Sequence, residues 1–173
     1  MFSSFVSFSQ TINLLDKKNG LSSFKFGTTP AFYHNKIQRS KSLSGKGNGE
    51  VYMVTDSTQT SFFGYKTEFV ELIFLKNKLY CIFIAFYDGE RININDKYNS
   101  IVYKLEKLFG NSELDINKFS ESKESITLEG KRWDAIHNQL DIYKTYVNNR
   151  KIYEISIWYY SKDIEKEGLD SEF

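Results

Sequence analysis

The sequence is short of the residues on which several chemistries depend. It holds one cysteine, Cys81, which excludes an internal disulfide and a cysteine-rich zinc site. A catalytic thiol needs a neighbouring base. No motif supplies one, so the expected role of Cys81 is that of a small core hydrophobe. The two histidines, His34 and His137, form neither an H-E-x-x-H nor an H-x-H arrangement, and no metal site is read from them. One proline in 173 residues, with 26% charged residues, argues against disorder. Neither sign of charge is in excess: 23 basic and 22 acidic residues give +1. The overall charge therefore calls for neither nucleic acid nor an anionic membrane. No apolar run approaches the roughly 20 residues of a membrane-spanning helix. There is no G-x-S-x-G elbow. Gly45-Lys46-Gly47-Asn48-Gly49 lacks phosphate-loop spacing and reads as a solvated loop. No cofactor is expected.

What the chain has in quantity is rings. Aromatic residues make up 17% of it, with 15 Phe and 12 Tyr, so burial rests mainly on large side chains. They concentrate in Phe69–Tyr87, FVELIFLKNKLYCIFIAFY. Two β-branched and aromatic runs flank a polar break there, the pattern of a β-hairpin. A turn at Asn77-Lys78 puts Val70, Leu72, Phe74, Leu79, Cys81, Phe83 and Ala85 on one face. The other face then has Phe69, Glu71, Ile73, Leu75, Tyr80, Ile82, Ile84 and Phe86. Both faces are apolar, so this hairpin is expected at the centre of a sheet, covered on both sides. Glu71 is the one charge on either face. It marks a strand edge, or pairs with a lysine, or serves a pocket as an acid or base with a partner carboxylate.

The remaining elements follow in chain order. Residues 21–27 suggest a short strand. Thr29-Pro30 reads as a helix start, with a helix running to about Arg39 and turning Phe32, Tyr33 and Ile37 inward. The Ser/Gly-rich stretch 40–50 reads as a loop. Basic Lys36, Arg39, Lys41 and Lys46 near the first helix either touch an acidic partner or belong to a solvated loop. Residues 51–55 form a short strand. Asp88–Asp96 carries acidic and amide side chains without EF-hand spacing and reads as a turn plus helix cap. Tyr98, Ile101, Val102, Leu105, Leu108 and Phe109 recur at helical spacing. They predict an amphipathic helix over about 96–109, capped by Asn95 and ended by Gly110. Residues 126–129 form a short strand. The last residues, 162–173, read as a charged tail that frays.

A second hairpin is predicted over about 138–160, turning at Asn148-Asn149. One face has Leu140, Ile142, Tyr146, Tyr153, Ile155, Ile157 and Tyr159. The opposite face is half polar and rich in rings. On it Tyr143, Trp158 and Tyr160, rimmed by Asp141 and Glu154, have the composition of a protein-recognition patch. The alternative is that other parts of the chain cover these rings.

The two halves are built alike. Residues 20–90 and 91–161 each read as a helix, a short strand, an aromatic turn and a hairpin. The expected fold class is α+β: two αβββ units in tandem, forming one antiparallel sheet with helices packed on one face. This element order, over about residues 20–161, resembles the β-lactamase inhibitor protein fold. A single unit resembles the small outer-membrane assembly lipoproteins of the SmpA/OmlA type, and a TATA-binding-protein-like saddle is a topological cousin. The chain departs from the inhibitor family's disulfides, having one Cys, and from the lipidated Cys of the assembly proteins. The resemblance implies a sheet that holds a protein partner and carries over no site residue.

Met1 to Leu15 carry no side-chain charge. MFSSFVSFSQ, with small residues at Ser7 and Ser9, resembles the end of a Bacteroidetes-type signal peptide cut before Gln10, although no basic region precedes it. Residues 1–9 are thus expected to be a signal-peptide remnant, and the protein periplasmic or secreted. The expected function is non-enzymatic protein binding through the ring-rich sheet face. Two alternatives stand beside it. One is a self-associating envelope component, with the first hairpin buried in a homo-oligomer. The other is an enzyme or small-ligand carrier using a pocket near Glu71, for which a cavity lined by Ile73, Tyr80 and Ile82 would speak.

Overall fold

The structure, a computed structural model, describes residues 14–40, 49–115 and 123–169. The expected signal-peptide remnant at 1–9 and residues 41–48 of the 40–50 loop lie outside them. Strands β1 (Ile37–Arg39), β2 (Glu50–Val54), β5 (Phe69–Leu75), β6 (Lys78–Asp88), β7 (Leu114–Asp115), β8 (Ser125–Asp134), β9 (Asn138–Val147) and β10 (Ile152–Ser161) form one sheet. Their order is β1-β2-β5-β6-β10-β9-β8-β7, and every pair is antiparallel. Strands β3 (Ser61–Phe62) and β4 (Tyr65–Lys66) make a separate small hairpin. Helices α1 (Pro30–Tyr33), α2 (Arg91–Phe109) and α3 (Lys162–Leu169) accompany the strands, with a further helical turn at residues 14–17. The chain is α+β, as the sequence predicts. Each half lays down four strands as a meander, and the halves meet through β6 and β10, the last strand of each. The two edge strands span three and two residues. So short an edge offers little template for pairing with another chain.

One sheet face carries the main core. Val70, Leu72, Phe74, Leu79, Ile82, Ile84, Leu140, Ile142, Ile155, Ile157 and Tyr159 are buried there. Helix α2 covers part of it with Ile94, Tyr98, Ile101, Val102, Leu105 and Phe109. Each aliphatic side chain fully buried in this way stabilises by roughly 1.5–3 kcal/mol. Residues 14–33 cover more of the face with Leu15, Phe24, Phe26 and Tyr33. Asp16 ties that segment down by accepting hydrogen bonds from the backbone N–H groups of Ile136, His137 and Asn138 at 3.0–3.1 Å. The Tyr159 hydroxyl donates to the carbonyls of Leu15 and Lys18.

Several local expectations are corrected. The helix predicted over 30–39 stops after one turn. His34 has a φ of 41°, where helical hydrogen bonding cannot continue, and β-branched Ile37 pairs with Val54 in the sheet. Residues 21–27 form turns and one bridge, Leu21 to Phe24, in place of a strand. Helix α2 starts at Arg91, earlier than predicted. Glu90 is its N-cap, and the Glu90 N–H donates to Asp88 Oδ1 at 3.0 Å. Asn95 sits inside the helix and accepts from Lys144 Nζ at 2.7 Å. Leu108, counted with the apolar stripe, is 39% exposed. Strand β8 extends well beyond the predicted 126–129.

The first hairpin is centred in the sheet with both faces buried. Its turn is Lys76-Asn77, with φ of 48° and 68°, one residue earlier than predicted, and Leu75 pairs with Lys78. Beyond the turn the register shifts. Leu79 opposes Phe74 and Cys81 opposes Ile73, leaving Tyr80 as an extra residue. This β-bulge turns the rest of β6 over. Ile82, Ile84 and Phe86 therefore join Val70, Leu72 and Phe74 on the α2 side. Cys81, Phe83 and Ala85, assigned to that side by strict alternation, point to the other.

Helices do not all lie on one side of the sheet. The segment 162–173, read as a fraying tail, forms α3 over 162–169. Ile164 packs into a second cluster with Val51, Ile73, Tyr80 and Cys81. Lys162 Nζ anchors the start of α3 to Asp134 at 2.8 Å and to the Ala135 carbonyl at 2.6 Å.

Candidate functional site

The seam between β6 and β10 positions a cleft on the α3 side of the sheet. Along it Trp158 pairs with Phe83, and Tyr160 with Cys81. On its far side β10 pairs with β9, so Trp158 faces Asp141 and Ser156 faces Tyr143. The resulting cleft has a volume of about 220 Å³ and is lined by Ile73, Tyr80, Cys81, Asp141, Tyr143, Trp158, Tyr160 and Glu165. Four rings and two carboxylates thus meet from four elements, β6, β9, β10 and α3. The bulge is what aims Tyr80 into this space beside Cys81, both on the side of Ile73.

Asp141 forms a fixed floor. Arg132 Nε and Nη2 donate to its two oxygens at 2.7 and 2.8 Å. Gln139 Nε2 donates to both at 3.1 Å, and the Tyr143 hydroxyl donates to Oδ2 at 3.0 Å. A carboxylate offers about four lone-pair sites, and these donors occupy them. The arrangement follows directly from strand geometry. Gln139, Asp141 and Tyr143 alternate onto one face of β9, and Arg132 is the cross-strand partner of Asp141. The hydrogen bonds to Asp141 hold the Arg132 guanidinium more firmly protonated than usual. Tyr143 lies over Gly130, its cross-strand partner. A Cβ built at Gly130 would come within 2.7 Å of the Tyr143 ring, so only glycine leaves the ring its place.

Trp158 is held by a ring contact with Phe83, centroids 4.2 Å apart. Burial pushes the Tyr80, Tyr143 and Tyr160 phenols above the ordinary tyrosine value, and neighbouring negative charge adds to the effect. At neutral pH all three hydroxyls are protonated. Glu165 makes no ion pair with a described residue.

Of the residues singled out from sequence, the structure brings Asp141, Tyr143, Trp158 and Tyr160 together. Glu154 stands apart. It lies four residues along β10 from Trp158, about 13 Å at strand rise, in a separate shallow depression with Tyr87, Thr145, Val147 and Arg150. Asp141 lies under the rings, not on their rim. Glu71 is buried on the same sheet face, between its cross-strand neighbours Met53 and Phe83, and does not line the cleft. Ile73 and Tyr80, named for a pocket near Glu71, do line it. Ile82 is on the opposite face. Sequence reading missed Cys81 and Glu165 as lining residues, since the bulge and the pairing of β6 with β10 have no local signature. The spacing of Ile164 and Gly168, one helical turn apart, is the signal that α3 packs on something.

Among the described residues no cluster of three or more His, Cys, Asp and Glu side chains is placed to hold a metal. His34 is exposed on the turn after α1. His137 pairs through Nδ1 with Asp163 at 2.8 Å, at the surface. No helix of the described residues is long and apolar enough to cross a membrane. Comparison with known proteins finds no matching family model, no matching curated relative and no matching solved structure.

Proposed function

We propose that this protein is a non-enzymatic binding module that holds a protein partner in the aromatic cleft between β6 and β10. The observation that carries this reading is the convergence of Tyr80, Tyr143, Trp158 and Tyr160 over a carboxylate whose acceptor sites are already taken. Tyrosine and tryptophan give large, stiff contact surfaces and dominate protein-recognition hot spots. Asp141 is poorly suited to catalysis, because a general acid or base must exchange a proton with its substrate. Here four donor groups from three side chains hold it. The first hairpin is buried on both faces within a single chain, so its apolar second face does not require a second copy as cover.

Two further parts belong to the proposal. The two halves are copies of one αβββ-type unit, each with an added edge strand. In support, the sheet order runs outward from β6 and β10 through four strands on either side. The protein acts outside the cytoplasm, on the strength of the uncharged, Ser- and Phe-rich residues 1–15.

The test is capture of a partner from fractionated cells with the full chain as bait. Trp158→Ala and Tyr160→Ala should each abolish capture of a stoichiometric protein while leaving the far-UV spectrum and unfolding midpoint near those of the parent. Capture unchanged in both variants would overturn the reading. Recovery of the protein from the cytoplasmic fraction would remove the export part alone.

A further inference from the structure

We infer that the cleft takes a positively charged side chain of the partner protein, arginine in preference to lysine. This rests on the reading of the cleft as the partner-binding site and adds the chemistry of the group that enters it. Three observations carry it. First, four rings line the cleft, and a cation over a tryptophan or tyrosine face is attracted by the ring quadrupole. Second, the lining includes two carboxylates and no lysine, arginine or histidine among the described residues. Arg132 stands behind Asp141 and matches its charge, while Glu165, on α3, has no cationic partner among the described residues. The cleft therefore presents one unmatched negative charge. Burial is the main cause that keeps the Tyr80 and Tyr160 phenols protonated, and the Glu165 charge adds to it after Cys81 at Tyr80 and after Asp141 at Tyr160, where Arg132 opposes. Third, at about 220 Å³ the space is smaller than the roughly 300 Å³ at which clefts begin to hold drug-sized ligands. It suits one side chain.

Arginine is preferred on chemical grounds. A guanidinium is planar, stacks on aromatic faces, sheds water more readily than an ammonium and meets a carboxylate with two parallel hydrogen bonds. Glu165 and the rings of Trp158 and Tyr160, all in the lining, are the groups for the two kinds of contact. An anionic group would meet the Glu165 charge without compensation, and an apolar group would leave that carboxylate desolvated and unpaired.

The chain's two tryptophans permit a test with an internal control. Trp158 lies in the cleft. Trp133 lies in the main core on the other sheet face, its indole N–H donating to the Gly110 carbonyl at 2.7 Å. The full chain, labelled with nitrogen-15, is titrated with N-acetyl-argininamide, N-acetyl-lysinamide and N-acetyl-glutaminamide, and both indole signals are followed. The arginine amide should shift the Trp158 signal to saturation in the millimolar range and leave Trp133 unmoved. The lysine amide should bind about threefold more weakly or worse, and the neutral glutamine amide should not saturate. Glu165→Gln should weaken the arginine response by about fivefold or more, with an unchanged Trp133 signal reporting an intact fold. Absence of a Trp158 shift, an equal response to the glutamine amide, or an unaltered Glu165→Gln titration would each overturn the inference. If Trp158→Ala still abolishes partner capture in such a case, the binding-module reading stands and only the charged occupant is lost. If capture survives as well, both fall together.

Discussion

Arg132 and Asp141 face each other across β8 and β9 and are joined by two parallel hydrogen bonds of 2.7 and 2.8 Å. The Asp141 side chain is 5% exposed and that of Arg132 32%. Asp141 is the floor of the cleft, and Arg132 holds it from outside the lining. Tyr143 and Gln139 are oriented by the same carboxylate, so the pair shapes the site as well as closing the sheet.

The first prediction follows from that asymmetry of burial. Arg132→Met leaves a buried carboxylate with two neutral donors and should cost about 3 kcal/mol, the range found when one partner of a buried ion pair is removed. Adding Asp141→Leu should restore much of the loss, because no charge then remains to be paired. Urea unfolding of the parent, single and double variants measures this. A double variant no more stable than the single would contradict it.

The second prediction concerns pH. Burial raises the pKa of Glu154 above its ordinary value, with the hydrogen bond to Tyr87 and the charge of Arg150 only partly opposing it. The folded state therefore binds the proton more tightly than the unfolded state. Stability from this group is complete at pH below the ordinary glutamate value of about 4.3 and declines as pH rises through the raised folded value. Glu154→Gln removes that decline while keeping a group able to hydrogen-bond Tyr87. The variant should match the parent near the acid end and exceed it at neutral pH. Thermal unfolding across the range tests this, and a gap that widens toward acid would show the sign to be reversed.

The third prediction concerns α3. A Cβ on Gly168 would fall 2.7 Å from Leu75 Cγ and closer still to its Cδ2. In a free helix Gly→Ala would stabilise by about 1 kcal/mol. Here the overpacking, typically 1–3 kcal/mol, should win and lift the end of α3 from β5. Gly168→Ala should lower the urea midpoint and speed amide exchange over residues 164–169. A higher midpoint with unchanged exchange would mean that Leu75 gives way freely.

Much of this architecture is legible in the sequence, and the reason is local periodicity. Apolar and polar residues alternate through 138–160, so both faces of the second hairpin could be read from period two alone. Its pairing could not: in place of a two-residue turn at Asn148-Asn149 the turn takes residues 148–151, and Val147 pairs with Ile152. Asp141, Tyr143, Trp158 and Tyr160 were found together for that reason. The spacing from Tyr98 to Phe109 identified α2 in the same way, although its start at Arg91 depends on Asp88 and the turn before it.

By itself, then, the chain determined the antiparallel strands, the long amphipathic helix and a ring-rich face on the second hairpin, because each is written in neighbouring residues. Tertiary structure decided the rest. The bulge at Tyr80 does not show in the alternation of FVELIFLKNKLYCIFIAFY. It places one extra residue opposite Ile73 and so reverses the facing of Cys81, Phe83 and Ala85. The pairing of β6 with β10 joins residues far apart in the chain, and no local pattern names the partner strand. Helix α3 has too few apolar residues to stand alone and owes its place to Ile164, Gly168 and the Lys162 contacts with Asp134 and Ala135. The cleft exists where these three long-range events coincide, which is why its floor and one wall were visible in the sequence and its enclosure was not.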